Sequence, residues 1–314
     1  MKLTQRIALA TCILTLVLIG IGAYVRSTGS GLGCPDWPTC HGGVVPPGTR
    51  HSLIEFSHRF TASIVGLLVI ATAVLAWKYY RHVPFILWTA TLAVPLVGFQ
   101  GILGAITVKR ELPPEIVATH LVIAMCVFSI EIAAFFAMYL EDPDRREKLR
   151  AVATAPRLPG KVAVVAIAWL AGVMWIGGYM AESGASTACT GWPTCNGSIL
   201  PGNDDHEIVH MVHRYIAGAF IFLIVPLVIV AWKRRSELFW AKPVAIVVGV
   251  LYFLQVFVGA LNVWYQFPDW LSVSHTVIAA SIWGALSIAI VLTFYAAVTA
   301  RHTHPLSAKA KVTA

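Results

Sequence analysis

The segment Cys34-Pro-Asp-Trp-Pro-Thr-Cys-His-Gly42 recurs in this chain as Cys189-Thr-Gly-Trp-Pro-Thr-Cys-Asn-Gly197. The offset from Cys34 to Cys189 is 155 residues, and the same offset aligns other parts of the chain without gaps. It places His58-Arg59 over His213-Arg214, and His120 over His275. Self-similarity at a fixed period indicates a repeated structural unit. The sequence therefore predicts two copies of one unit in tandem.

The composition indicates that both units are embedded in a membrane. Of the 314 residues 58% are hydrophobic and 12% are charged, and the mean hydropathy is +0.75. Soluble domains carry roughly 25% charged residues, so soluble enzymes are excluded, as are disordered chains and fibrous repeats. A membrane-spanning helix needs about 20 mostly apolar residues. Eight stretches qualify: Ile7–Tyr24, Phe56–Trp77, Phe85–Val108, Ile116–Leu140, Val162–Met180, Ile208–Trp232, Pro243–Trp264 and Leu271–Thr299.

The net charge of +8 is explained by topology rather than by binding to nucleic acid, which we do not expect as a partner. With the amino terminus inside, 17 of the 23 Lys and Arg residues lie on the cytoplasmic side. The positive-inside rule then places both termini in the cytoplasm. The six exceptions are Arg26, Arg50, Arg59, Lys109, Arg110 and Arg214.

The predicted fold class is an all-α polytopic membrane protein, with eight transmembrane helices arranged as two tandem, pseudo-symmetric four-helix bundles. Residues 1–150 form the N-terminal half and residues 151–314 the C-terminal half, joined by the charged loop Glu141–Lys161. An even number of spans separates equivalent points, so the halves are parallel and related by an axis along the membrane normal. The surrounding lipid is a partner of every span.

Four histidines lie near the starts of the even-numbered spans, and the topology places all four near the outer membrane surface. They are His58, His120, His213 and His275. An ionisable group inside a membrane is a functional-site hypothesis by default. Two imidazoles that face each other across a four-helix bundle suit axial ligation of haem iron. We therefore predict two haem sites, His58/His120 and His213/His275. Zinc or copper is less favoured, since neither pair comes with a repeated set of further ligands.

The cysteine pairs Cys34/Cys40 and Cys189/Cys195 lie in the two longest outer loops. These loops face an oxidising space, which favours a small disulfide ring in each loop. Each ring is either a structural staple over the site or a redox-active pair that passes electrons. Cys12 and Cys126 lie within spans and have no counterparts in the repeat, and we predict that both are buried thiols.

The two halves differ at a few charged positions. Glu55 precedes His58 by three residues and shares its helix face, whereas its repeat partner is His210. Glu55 either pairs with Arg59 at the interface, or it acts at the haem edge as a proton acceptor or as a charge that stabilises a cationic intermediate. Arg59 and Arg214 could pair with haem propionates. Glu131, deep in the fourth span, is matched by Leu286 and has no assigned role.

The stretch Thr28-Gly-Ser-Gly-Leu-Gly-Cys-Pro-Asp-Trp-Pro-Thr-Cys-His-Gly42, followed by Glu55-Phe-Ser-His-Arg59, resembles the haem A synthases. The resemblance covers the whole chain, including both halves and the four histidines, and the cysteine pairs look like those of the cysteine-bearing bacterial branch. It implies an oxidoreductase that converts the C8 methyl of haem O to the formyl of haem A for terminal cytochrome oxidase. It also implies a location in the bacterial plasma membrane.

The same resemblance implies a role for each half. The N-terminal half would hold the substrate haem through His58 and His120, beside the catalytic acid Glu55 and a Cys34–Cys40 disulfide. The C-terminal half would hold a permanent haem b, which relays electrons, through His213 and His275. Haem O synthase and cytochrome oxidase assembly factors are the expected protein partners.

Three other functions use some of these residues. A di-haem membrane cytochrome that exchanges electrons with quinone would need two equivalent haems, and the Glu55/His210 difference argues against it. A thiol–disulfide oxidoreductase leaves the histidines unexplained and lacks a C-x-x-C pair. A haem transporter or chaperone would use the same binding residues without turnover.

Overall fold

The computed structural model describes residues 1–151, 158–236 and 240–301. Within these ranges, eight helices are long and apolar enough to cross a membrane, which confirms the eight predicted spans and the all-α class. The helices are α1 (Leu3–Ser27), α2 (Arg50–Tyr79), α3 (Pro84–Lys109), α4 (Pro114–Leu140), α5 (Pro143–Ala151), α6 (Leu158–Glu182), α7 (Asp205–Ala219), α8 (Ile221–Lys233), α9 (Ala241–Trp264) and α10 (Asp269–Arg301). The short helix α5 lies in the predicted linker and spans nothing.

Local sequence sets where the helices begin and turn. The Thr49 side chain caps α2 by accepting a hydrogen bond from the Ser52 N–H, and Asp204 caps α7 in the same way. The tight turns that join α3 to α4 and α9 to α10 each contain two consecutive residues with positive φ, and these are equivalent in the repeat. They are Glu111-Leu112 and Gln266-Phe267. The duplication therefore extends to backbone conformation.

The two halves pack side by side around four central helices. In the first half α1 contacts α2 and α4, and α3 lies between α2 and α4. In the second half α6, α7 with α8, α9 and α10 repeat this arrangement. Across the middle, α1 packs against α10, α4 against α6, and α4 against α10. Helices α2 and α3 thus lie on one flank, and α7 to α9 on the other.

Small side chains and a few polar contacts join the halves. The Ser129 hydroxyl on α4 lies 2.9 Å from that of Ser287 on α10, and the Trp283 indole N–H donates to Ser129 at 2.6 Å. Gly284 packs against the Phe128 ring. Small residues at helix contacts let membrane helices approach closely. The central contact therefore combines close packing with hydrogen bonds.

The outer surface of the bundle is apolar. Large side chains on its flanks are strongly exposed, among them Leu67, Trp88, Phe222 and Phe253. Such a surface is stable in lipid and prone to aggregation in water.

The prediction that Cys126 is buried is wrong: this residue of α4 is exposed, whereas Cys12 is buried as predicted. Apolar periodicity does not distinguish the two settings, because lipid-facing and core-facing positions are equally hydrophobic.

The sixth predicted span differs from the structure in one respect. It is interrupted at Phe220, which separates α7 from α8 six residues before Pro226. A proline removes one helical hydrogen bond and crowds the preceding turn, so a break near it is expected.

The predicted boundary between the two halves, at residues 150 and 151, lies at the end of α5. Residues 152–157 of the linker and 302–314, with Lys309 and Lys311, are outside the described ranges.

Candidate functional site

The four histidines lie at one end of the bundles. We call the end where Leu3 starts α1 the N-terminal face, and the opposite end, where residues 28–49 and 183–204 connect helices, the loop face. Helices α2, α4, α7 and α10 all begin at the loop face, and each carries its histidine within about the first three turns. The rings of His58 and His120 interact electrostatically, as do those of His213 and His275. Each histidine of a half is thus an electrostatic neighbour of the other, and the prediction that each pair binds a haem stays a prediction.

Each histidine ring is seated on a glycine of the preceding long helix. A Cβ added to Gly22 on α1 would lie 3.2 Å from Cε1 of His58, and one added to Gly104 on α3 would lie 3.5 Å from Cε1 of His120. The repeat reproduces both pairs: a Cβ on Gly177 or Gly259 would lie 2.8 or 3.2 Å from Cε1 of His213 or His275. Each of the four rings thus packs closely against a glycine, and this contact restricts the orientation of the ring.

The ring nitrogens are available as ligands. Nδ1 of each histidine is buried and has no hydrogen-bond partner of good geometry, and within the described residues Nε2 of each ring makes no hydrogen bond. The carbonyls of Leu18 and Val173, equivalent in the repeat, interact with the rings of His58 and His213. A carbonyl on one nitrogen leaves the other for a metal. The free ring nitrogens therefore fit a haem, which His58 with His120, and His213 with His275, would hold.

The two predicted disulfides, Cys34–Cys40 and Cys189–Cys195, are both formed. Each closes a tight loop at the loop face that contains a cis Trp-Pro bond and a short backbone bridge. Position 41 and its repeat partner hold their loops in the same way: His41 Nε2 lies 3.0 Å from the Gly33 carbonyl, and Asn196 Nδ2 donates to the Ala188 carbonyl at 3.1 Å. That either pair passes electrons stays a prediction.

Arg59 and Arg214 hold these loops onto the bundle. The Arg59 guanidinium donates to the carbonyls of Cys34, Asp36 and Thr39 at 2.6 to 2.8 Å. Nη1 of Arg214 donates to the equivalent loop, whose acceptors are the carbonyls of Gly191, Pro193 and Thr194. Nε and Nη2 of Arg214 remain buried without a partner. Pairing of either arginine with a propionate stays a prediction, and the unpaired donors of Arg214 leave room for it.

Glu55 is buried beneath the first disulfide loop. One carboxylate oxygen accepts the Cys34 backbone N–H at 2.7 Å, and the other pairs with the Arg59 guanidinium. The predicted Glu55–Arg59 ion pair is therefore present. In the second half His210 takes this position, and its Nδ1 lies 3.1 Å from the Ala185 carbonyl. The contact to Cys34 was not foreseen, because it depends on the loop folding back over α2. The carboxylate thus joins the loop to the helix face that carries His58.

Two features of the histidine sites were not predicted from the sequence: a pair of equivalent glycines and an arginine from the other half. Gly22 and Gly177 are at equivalent positions, and the repeat alignment could have identified them. Arg26, at the end of α1, interacts electrostatically with His275, Glu182 and Asp269 of the other half. Its repeat partner is Ala181. A cation from the N-terminal half therefore lies beside the C-terminal histidine pair.

Known proteins match this chain along most of its length. The model of the COX15-CtaA family, described as cytochrome oxidase assembly protein, matches residues 5–53 and 48–287. The chain belongs to this family. A relative from Shouchella clausii, named "Heme A synthase", is 32% identical over 80% of this chain and 82% of its own length. A protein of the same name from Alkalihalophilus pseudofirmus is 31% identical, over 88% and 93% of the two chains. Another from Bacillus mycoides is 28% identical over 95% of each.

The close contact between each glycine and a histidine ring predicts that a single added methyl group lowers the stability of the protein. Gly177→Ala places a Cβ in contact with the His213 ring, so we expect a loss of about 1–3 kcal/mol of stability through overpacking and weaker haem retention. Gly172 lies in the same helix with nothing within 4 Å of an added Cβ. Gly172→Ala is therefore the control, and it should be neutral or stabilising by up to about 1 kcal/mol. Thermal unfolding and haem content per chain measure both effects, and equal behaviour of the two variants would contradict the seating.

Proposed function

We propose that this chain is a haem A synthase, an oxidoreductase that oxidises the C8 methyl group of haem O to the formyl group of haem A for cytochrome oxidase. The observation that carries the proposal is the unequal pair of histidine sites. Both halves place two imidazoles against glycines at the loop face. Among the described residues, a buried carboxylate, Glu55, lies one turn from a histidine of the N-terminal pair, and the equivalent position of the C-terminal half is His210. Its family and its relatives named "Heme A synthase" support the same function.

In this proposal the N-terminal half holds haem O, the substrate, between His58 and His120. Oxidising a methyl to a formyl group removes hydrogen from the carbon and adds oxygen, so the site needs a group that stabilises positive charge or accepts a proton. Glu55 is the buried acid in the right place. Arg59 and the Cys34 N–H orient its carboxylate and fix the position of the loop above it.

The C-terminal half would bind haem b through His213 and His275. When bound, haem b supplies one-electron redox chemistry and relays electrons from the substrate site. Arg214 offers its unpaired Nε and Nη2 to a propionate, and Arg26 adds a second positive charge from α1. The positive charges of Arg214 and Arg26 would stabilise the more negative state of a group bound beside them, which is its reduced or anionic form. The second site is thus suited to a resident cofactor and lacks an acid equivalent to Glu55.

The location and the partners follow from this function and from the charge pattern. The chain is a multi-pass membrane protein by its eight apolar helices. We place it in a bacterial cell membrane, with both termini cytoplasmic and the loop face outside. Haem O synthase is the proposed donor of substrate, since a hydrophobic haem is better handed over than released. Cytochrome oxidase assembly factors are the proposed recipients.

The test is to express the full chain with and without a haem O synthase, and then to extract and identify its bound haems. Haem b alone is expected without the synthase, and haem b with haem O or haem A in its presence. A di-haem cytochrome that exchanges electrons with quinone would instead hold two haem b molecules per chain in both cells. That result, with no haem A formed, would overturn the proposal.

A further inference from the structure

Glu131 is a buried acid that the proposed function does not use. It lies in α4, eleven residues beyond His120, which is about 16 Å towards the N-terminal face. The residue is 5% exposed, and neither carboxylate oxygen has a hydrogen-bond partner. An unpaired carboxylate at this depth is costly, so such groups are normally neutral or functional.

A small cavity adjoins the Glu131 carboxyl inside the N-terminal bundle, with room for about one water molecule. It is lined by Ala8, Thr11, Val69, Thr72, Ala90, Ala93, Glu131 and Ala134. The hydroxyls of Thr11 and Thr72, which both line it, lie 3.4 Å from each other. The hydroxyl of Thr15, one turn along α1, is buried without a partner of good geometry and interacts with Glu131. Two hydroxyls and one carboxyl thus border an otherwise apolar space, and the Thr15 hydroxyl lies outside it beside the carboxyl.

The duplication shows that the fold does not require these polar groups. At the equivalent positions of the second half, Thr11, Thr15, Thr72 and Glu131 are replaced by Ala166, Leu170, Leu227 and Leu286. All four replacements are buried in the hydrophobic core. The same backbone arrangement is therefore stable with a fully apolar interior, and the polar cluster is a property of the N-terminal half alone.

We propose that Glu131, Thr11, Thr15 and Thr72 form a buried proton-binding site, in which the protonated acid and a water molecule exchange protons with the N-terminal face. A protonated carboxyl is both donor and acceptor, as are a hydroxyl and a water, so these groups satisfy one another without net charge. This goes beyond the proposed haem chemistry, because Glu131 lies about 16 Å along α4 from His120. Thr15 is the member of the cluster nearest the haem site, one turn before Leu18, whose carbonyl interacts with the His58 ring.

Small residues and one polar side chain lie between the cavity and the N-terminal face, and the proposed path runs along them. Ala8 and Ala134 lie about one turn closer to that face than Thr11 and Glu131. Beyond them, the buried Gln5 amide donates to the Met138 carbonyl at 2.8 Å and accepts the Lys2 N–H at 3.0 Å. Glu131 is the one ionisable residue that lines the cavity, and the Cys12 thiol on α1 interacts with it electrostatically. In this proposal the Gln5 side chain lies between Glu131 and the N-terminal face and limits the rate of proton exchange.

The first test is infrared spectroscopy of the purified full-length protein in lipid nanodiscs at neutral pH. We expect a C=O stretching band of a protonated carboxyl that Glu131→Gln removes. Glu141→Gln is the matched control and should leave the band, since Glu141 pairs with Arg146 and Tyr295 near the N-terminal face. The band should shift in deuterated buffer. A spectrum that Glu131→Gln leaves unchanged, or a band that never shifts, would overturn the proposal.

Two further variants test the hydrogen bonds around the Glu131 carboxyl and the proposed path of proton exchange past Gln5. Thr11→Val combined with Thr72→Val should move the band to higher frequency through loss of hydrogen bonds, and an unmoved band would argue against the site. Gln5→Ala should accelerate deuterium exchange of the band severalfold, and an unchanged rate would refute the path.

Glu131→Leu separates this site from a structural role. It copies Leu286, so the variant should fold, keep its thermal midpoint and lose the band. Unfolding of this variant would mean that Glu131 serves stability instead. None of these readouts depends on haem A formation, so the haem A synthase proposal can fail while this one stands.

Discussion

His58→Ala and His120→Ala should each abolish the formation of haem A while leaving haem b bound, whereas His213→Ala and His275→Ala should remove haem b. The reason is that each half holds its own pair of imidazoles, each ring seated on its own glycine. Removing a ligand from one pair leaves the seats and loop contacts of the other intact. Haems extracted from the purified protein, with reduced-minus-oxidised spectra, measure both outcomes per chain.

The matched control for this series is His206→Ala. His206 lies in the first turn of α7, is exposed, and makes its described hydrogen bond through the backbone N–H alone. This variant should retain both haems and full turnover. If His58→Ala lost haem b, or if all four ligand variants had the same haem content, the two sites would not be independent. The assignment of one substrate site and one cofactor site would then be wrong.

The features predicted correctly from the sequence are those carried by local composition or by the repeat. Apolar length alone located the eight spans, since a helix must cover the hydrocarbon core. The paired cysteines and the four histidines were identified because the second copy repeats their spacing, which a chance residue would not do. The pairing of His58 with His120 around a haem follows from the topology of the spans and stays a prediction.

What could not be predicted depends on contacts between segments distant in the sequence. The Cys34 N–H reaches Glu55 only because the loop folds back over α2. The pairing of Arg59 with a propionate stays a prediction. The structure shows Arg59 bound to three loop carbonyls, and no periodicity in the sequence encodes that geometry. Arg26 acts across the contact between α1 and α10, which no single-helix pattern reveals.

Glu55→Gln should stop turnover while the protein still binds haem O and keeps its Cys34–Cys40 loop. The glutamine carbonyl can still accept the Cys34 N–H, so the loop stays attached, but the side chain no longer carries charge or takes up a proton. Glu55→Ala should stop turnover too and also destabilise the protein by about 1–3 kcal/mol, because the buried Cys34 N–H and part of the Arg59 guanidinium lose their acceptor. The ratio of haem A to haem O measures turnover, and thermal unfolding measures the loop contribution.

The duplication again provides the control. His210→Gln changes the equivalent position, where the side chain bonds only a backbone carbonyl, and it should leave haem A formation unchanged. If Glu55→Gln were fully active, the acid would serve the loop alone, and the oxidation would need another proton acceptor. If Glu55→Gln lost haem O and turnover together while His210→Gln lost neither, Glu55 would act in substrate binding. A variant that binds haem O and does not convert it is the outcome that assigns Glu55 to the chemistry itself, since substrate binding and the Cys34 contact then remain while the charge and the acceptor for Arg59 have gone.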